Sequence, residues 1–306
     1  MSLAGGPGPE VYFPKGTPGI DPRVPLPPSG ERRSRILGSD GSRSVWIAVA
    51  STVVFFAAVI GAVVSSPGWS APGGFKQAFF DGEIFADSLP RILDGFLVNV
   101  RIFVVAEVLV LTFALLLAVM RSLPGPVFAP LRLLAVSYTI LFRGLPTILV
   151  IFVLGFGMPA LELQGLPNSD FFWAILALTL VYSAYVAEVY RAGIESVHPS
   201  QTAAARSLGF RRGQAMRYVV LPQAVKRVLP PLLNDFIGLQ KDSALVGVLG
   251  VTEGLRQATI TQASTFNFTP FVSLALVYVV ITIPQVLFVD WLIERDQRRQ
   301  QAGGVV

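Results

Sequence analysis

Glu188-Val-Tyr-Arg-Ala-Gly193, Gln201-Thr-Ala-Ala-Ala-Arg-Ser-Leu-Gly209, Leu221-Pro-Gln-Ala224 and Lys241-Asp-Ser-Ala-Leu245 lie in order along one basic segment between two hydrophobic runs. Seven Lys and Arg fall within residues 191–227 alone. Apolar runs at 171–190 and 228–250 flank them, so the chain leaves a membrane, makes an Arg-rich excursion on one side and returns. A loop of such regular spacing is suited to holding a soluble partner on that side.

The wider composition agrees. Of 306 residues, 53% are hydrophobic and only 14% are charged, against about 25% charged in an average globular domain. Too few charges exist to coat a soluble surface. Apolar runs of about 20 residues, each long enough to cross some 30 Å of hydrocarbon, recur at 45–64, 96–120, 133–156, 171–190, 228–250 and 271–292. The expected fold is therefore all-α and polytopic, with about six transmembrane helices. Six Lys and Arg fall in residues 1–44, three in 121–143, seven in 191–227 and three after 292, whereas only Lys76, Arg91 and Arg256 lie in the alternate connections. By the positive-inside rule both termini are cytoplasmic. That topology also explains the net charge of +5, and with no basic soluble domain there is no nucleic-acid partner to expect.

The zero cysteine count excludes disulfides and thiolate metal sites. His198 is the one histidine, so no metal centre and no Ser-His-Asp chemistry is expected. No G-x-x-x-x-G-K-[ST] loop is present, so the chain carries no nucleotide site of that type. Residues 1–44, rich in Pro, Gly and Arg, read as a disordered cytoplasmic tail, and 45–64 as an additional, uncleaved first span. The connection at 65–92 carries an aromatic and acidic patch at Phe79-Phe-Asp-Gly-Glu-Ile-Phe85, suited either to an extracytoplasmic protein or to a short helix at the membrane interface.

Between 201 and 208 the residues favour a helix, with Pro199-Ser200 as a start signal and Gly209 as a stop. So short a helix is marginal alone in water and needs something packed against it. At Glu188 to Arg191, Gly193, Gln201, Ala204, Ala205, Leu208, Gly209, Leu221 to Ala224, Leu229, Pro230 and Asn234, the chain resembles membrane subunits of ABC importers, specifically the polar amino acid uptake permeases. Phe142-Arg-Gly-Leu-Pro146 and Lys241-Asp-Ser-Ala-Leu245 resemble two further signatures of that family. The resemblance spans about residues 92–295 and implies a MetI-like permease core with a coupling loop at 191–227. Its implied ATPase-coupling residues are Gln201, Ala203, Ala204, Ala205, Arg206, Leu208, Gly209, Arg211 and Arg212. One departure stands out: Ala203 occupies the place of the family Glu, and Ser200 that of the preceding Gly.

The resemblance further implies no cofactor on this chain, ATP and Mg on a partner ABC ATPase, a second permease copy or paralogue, an extracytoplasmic substrate-binding protein and a bacterial cytoplasmic (inner) membrane. Ionisable groups inside spans are costly and face a pore or a partner. Asn99, Arg101, Glu107, Asn234, Asp235 and Gln240 are the candidate substrate path, with Arg101 for a carboxylate and Glu107 or Asp235 for an ammonium; cross-helix pairing that locks the bundle is the competing role. Lys241 with Asp242 reads as an internal pair, and Glu188 with Arg191 as a helix-end pair. A secondary transporter or channel using Glu107 as an ion or proton site is the alternative function.

Overall fold

The computed structural model describes residues 41–162 and 164–303. Residues 1–40, in which the sequence reads most of a disordered tail, lie outside the described residues. The chain divides between Ser66 and Pro67 into two units.

The first unit is helix α1, Gly41–Val64, whose stretch Trp46–Val64 is long and apolar enough to cross a membrane. Its few hydroxyls are satisfied internally: Ser51 and Thr52 donate to the Ala48 carbonyl at 3.0 and 2.8 Å, as hydrocarbon demands of any polar group.

Among its described residues the second unit is built of helices and their connections, with no strand. After a single turn at Pro67–Ser70 come α2 (Phe75–Phe79), α3 (Gly82–Ser122), α4 (Ala129–Gly144) and α5 (Thr147–Phe152), the last prolonged by a π turn at Val153–Gly157. Then follow α6 (Asp170–Glu195), α7 (Pro199–Ser207), α8 (Leu221–Asp242), a 3-10 segment Ser243–Leu249, α9 (Gly254–Thr265) and α10 (Thr269–Gly303).

Among the described residues, four helices are long and apolar enough to cross a membrane, or five if the bent pair α4–α5 is one span. Three of the six expected spans differ from their sequence limits. The span at 96–120 is the inner part of α3, which begins at Gly82, where the Asp81 side chain accepts from the Glu83 and Ile84 amides. Its polar first turns, with Asp87 paired to Arg91 at 3.2 Å and Pro90 inside the helix, hid it in an expected connection. The run at 133–156 is bent by 104°, because Leu145 is held extended (φ −100°, ψ 137°) before Pro146. The run at 228–250 is divided: α8 ends at Asp242 and a 3-10 segment follows. Helix α8 is about 33 Å long, enough to cross. It fails only on composition, since Lys226, Arg227, Asp235, Lys241 and Asp242 punctuate it. Both termini can be cytoplasmic only if α8 completes the sixth crossing.

Small residues let α3 and α6 approach closely: Ala106 and Ala114 of one, and Ala174 and Ala177 of the other, are fully buried in one core with Val110 and Leu178. Leu, Val and Ile side chains such as Leu97, Val108, Leu134 and Ile140 stand exposed on the outer faces, the pattern of a surface solvated by lipid. A second core joins Ile92 and Phe96 of α3 to Ala258 of α9 and to Leu274 and Val277 of α10.

Beside that second core lies a buried polar lock. Asn99 donates to Glu253 Oε2 at 3.0 Å and to Ser243 Oγ at 3.2 Å, while its own Oδ1 accepts from the Gly254 amide at 2.9 Å. The fully buried Glu253 also accepts from the Leu255 and Arg256 amides, each at 2.7 Å, capping α9. Gly95 makes this possible, for a Cβ there would lie 2.8 Å from the Glu253 carbonyl carbon. Asn99→Ala strands the Gly254 amide and removes a donor from a buried carboxylate, a cost of about 1–3 kcal/mol. The expected result is a lower melting temperature of the purified protein; an unchanged melting temperature contradicts the lock.

Candidate functional site

Helix α7 is displayed rather than buried. Its one buried residue is Ala205, 4% exposed, whereas Gln201, Ala203, Ala204 and Arg206 are exposed and Leu208 is 79% exposed. The helix starts at Pro199, two positions before the expected Gln201: His198 is the N-cap, its Nδ1 accepting from the Ser200 amide at 3.2 Å, with Pro199 in the first turn. It ends on Gly209, whose φ of +87° is left-handed, with the Gly209 amide on the Arg206 carbonyl and the Phe210 amide on the Ala205 carbonyl. Nothing lies within 4 Å of where a Gly209 Cβ would be. Arg211 and Arg212 follow, both exposed. All nine expected coupling residues thus fall in one short segment, eight of them outward-facing. Exposed Ala203 leaves the face without a carboxylate at that point.

What holds this segment to the bundle is a small apolar knot of Val197, Val220 and Ala224, joined by Ile194. Arg227 adds a hydrogen bond to the Ser196 carbonyl. Gly193 lets α6 and α8 cross closely, since a Cβ there would meet Val228 at 2.9 Å.

One turn further into α6, Glu188 does more than pair with Arg191. It accepts from Arg121 Nη1 of α3 at 3.0 Å and from Arg191 Nε at 3.1 Å, and lies 3.8 Å from Arg143 of α4. Arg191 also pairs with Glu195, and Arg121 donates to Thr139 at 3.3 Å. Three helices therefore converge on one carboxylate. Arg121 and Thr139 were not legible as partners, because nothing in their spacing links them to Glu188. Arg143 lies in the last turn of α4, just before the bend, with its guanidinium over the Tyr185 ring.

The candidate path residues separate into groups. Asn99 belongs to the lock at Glu253, a residue the sequence reading passed over although Glu253 immediately precedes a helix. Gln240 is buried with Oε1 unpartnered. Glu107 and Asp235 lie on the two helices, α3 and α8, whose Phe103 and Phe236 meet edge to face at 4.6 Å. Asp235 Oδ2 is buried without a partner. Arg101 and Asn234 are exposed, and no ion pair joins Arg101 to Glu107 or Asp235 among the described residues. Lys241 and Asp242 do not form the expected pair: Lys241 is exposed, Asp242 is half-buried, and no ion pair joins them among the described residues.

Residues 110–299 match the model of the binding-protein-dependent transport system inner membrane component. The chain belongs to this family. The probable glutamine ABC transporter permease protein GlnM of Bacillus subtilis (strain 168) is 38% identical over 217 residues, covering 71% of this chain and 98% of the relative. The arginine transport system permease protein ArtQ of the same strain is 35% identical over 196 residues, covering 64% and 87%. Among solved structures, an amino acid ABC transporter with histidines is 35% identical with a TM-score of 0.62, covering 67% of this chain and 94% of that one. The MetNI methionine ABC transporter, at 20% identity and TM-score 0.52, shares the fold, covering 66% and 96%. As a member of this inner membrane component family, the chain is a non-catalytic permease subunit, and the secondary-transporter alternative is not favoured.

Two substitutions separate the possible reasons for Gly209. Asn tolerates the left-handed region and Val does not. If the backbone turn is what matters, Gly209→Asn retains most transport and Gly209→Val loses it, with both proteins inserted normally. Equal loss in both variants assigns the requirement to close approach of a partner instead.

Proposed function

We propose that this chain is the membrane-spanning subunit of an ATP-driven importer of polar amino acids in a bacterial cytoplasmic membrane. The observation that carries the reading is α7: a capped helix presented outward, with Ala203, Ala204, Leu208 and the Arg side chains free to meet another surface. A separate ABC ATPase, holding ATP and Mg, docks there. Its closure moves α7, and Val197, Val220 and Gly193 pass that motion to α6 and α8. Residues 92–295 form the permease domain with its coupling loop at 191–227, and 45–64 an additional span preceded by a tail.

A second permease copy or paralogue completes the path, and an extracytoplasmic binding protein delivers the cargo. The family description supports the binding protein. With Ala203 in place of a carboxylate, docking here rests on shape and on Arg206, Arg211 and Arg212. A paralogous second subunit can supply the missing charge.

Within the path, Glu107 and Asp235 offer two carboxylates where α3 meets α8, suited to the ammonium group of an amino acid. Asn99 serves the lock instead, so the path narrows to Glu107, Asp235, Gln240 and the exposed Arg101 and Asn234. Glu107→Gln is expected to weaken substrate-stimulated uptake while sparing the melting temperature; a change in melting temperature alone assigns Glu107 to bundle locking. In proteoliposomes containing the chain with its ATPase, uptake of glutamine, glutamate or arginine should require ATP inside the ATPase-bearing compartment. Uptake by the chain alone on an ion gradient overturns the proposal.

A further inference from the structure

Between the cytoplasmic ends of α3, α4 and α6 lies a cavity of about 520 Å³. Leu133, Val136 and Ile194 line it together with Arg121, Arg132, Arg191 and the exposed Glu195. Leu133 is 67% exposed, and Ile140, on the same face of α4, is 69% exposed, so the apolar lining continues onto the outer surface of the bundle.

The arginines have donors to spare. Arg132 uses Nη1 on the Leu123 and Gly125 carbonyls at 2.7 and 2.6 Å, and Arg121 uses Nη1 on Glu188 and Thr139. A guanidinium carries five N–H groups; the Nε and Nη2 donors of both residues have no hydrogen-bond partner among the described residues. Nor does the charge balance. Arg121, Arg132 and Arg191 line it against a single lining carboxylate, Glu195, whose side chain is 60% exposed, and Glu188, behind the wall, is shared by Arg121 and Arg191. A net positive, donor-rich cavity with an apolar flank, at the inner headgroup level set by the positive-inside topology, calls for an anion with a hydrocarbon tail.

We infer that this cavity binds an anionic phospholipid, its phosphate on Arg121 and Arg132 and an acyl chain along Leu133, Val136 and Ile140. A bound phosphate beside Arg121 would join the start of α4 to the ends of α3 and α6 that Glu188 also engages, so lipid composition would act on the element nearest the coupling loop. The site depends on the membrane orientation and not on what the permease carries.

The test is native mass spectrometry of the purified full chain titrated separately with phosphatidylglycerol, phosphatidylcholine and inorganic phosphate. Wild type should retain phosphatidylglycerol about fivefold better than phosphatidylcholine, the factor expected of one Arg–headgroup contact. R132Q should abolish the preference. Because Arg132 also braces the turn after α3, E195Q provides an independent variant: removing the exposed carboxylate releases Arg191 and should strengthen the preference. Equal retention of the two lipids by wild type overturns the inference, as does a preference unchanged in both variants. Saturable binding of inorganic phosphate without any lipid preference assigns the cavity to a soluble anion and equally overturns it.

Discussion

The cytoplasmic end of this permease depends on one carboxylate. Glu188 collects Arg121 from α3, Arg143 from α4 and Arg191 from its own helix, tying together segments that approach the membrane edge from different directions. Exposed ion pairs contribute little singly, but Glu188 is partly shielded and engaged by several donors at once, and removing it would leave a concentration of positive charge between packed helices. The next turn of the same helix carries Gly193 and Ile194, which seat the coupling segment. Helix α7 is therefore seated on a bundle whose inner ends are already fastened to each other.

The outer half is fastened differently. There, Asn99 and Glu253 form a buried lock in which each of their side-chain oxygens meets an amide, and Gly95 supplies the room. On the outer surface, Phe79 stacks on Phe268 at 5.1 Å and the Asp81 amide donates to Thr269, joining the expected aromatic patch to the start of α10. Arginine–carboxylate pairs gather the inner ends, and amide hydrogen bonds to Glu253 and Asn99 gather the outer ones. Between the two, no ion pair engages Glu107 or Asp235 among the described residues, and Asp235 Oδ2 is buried without a partner.

Much of this was legible in the sequence, and what was not has physical causes. Apolar runs announce helices because hydrocarbon leaves few alternatives, and Gly209 announces a helix stop because its backbone is left-handed. Hydropathy averages over bends, so the break at Pro146 vanished inside one apolar run. It also penalises polar turns that continue a helix beyond the membrane, so the first turns of α3 were assigned to a connection. The division of Asn99 from Glu107 depends on which helix each faces, and sequence spacing on one helix cannot supply that. Likewise, Lys241 and Asp242 are neighbours in the chain that the helix turns in different directions.

The absence of cysteine offers a direct test of the proposed coupling face. A single Cys placed at Ala203 can be cross-linked, without background from this chain, in a preparation that contains the ATPase subunit. A cross-link to the ATPase from position 203, and none from a control Cys at Val127, which is 82% exposed in another inside connection, is the predicted result. No ATPase cross-link from position 203 in an actively transporting complex would contradict it.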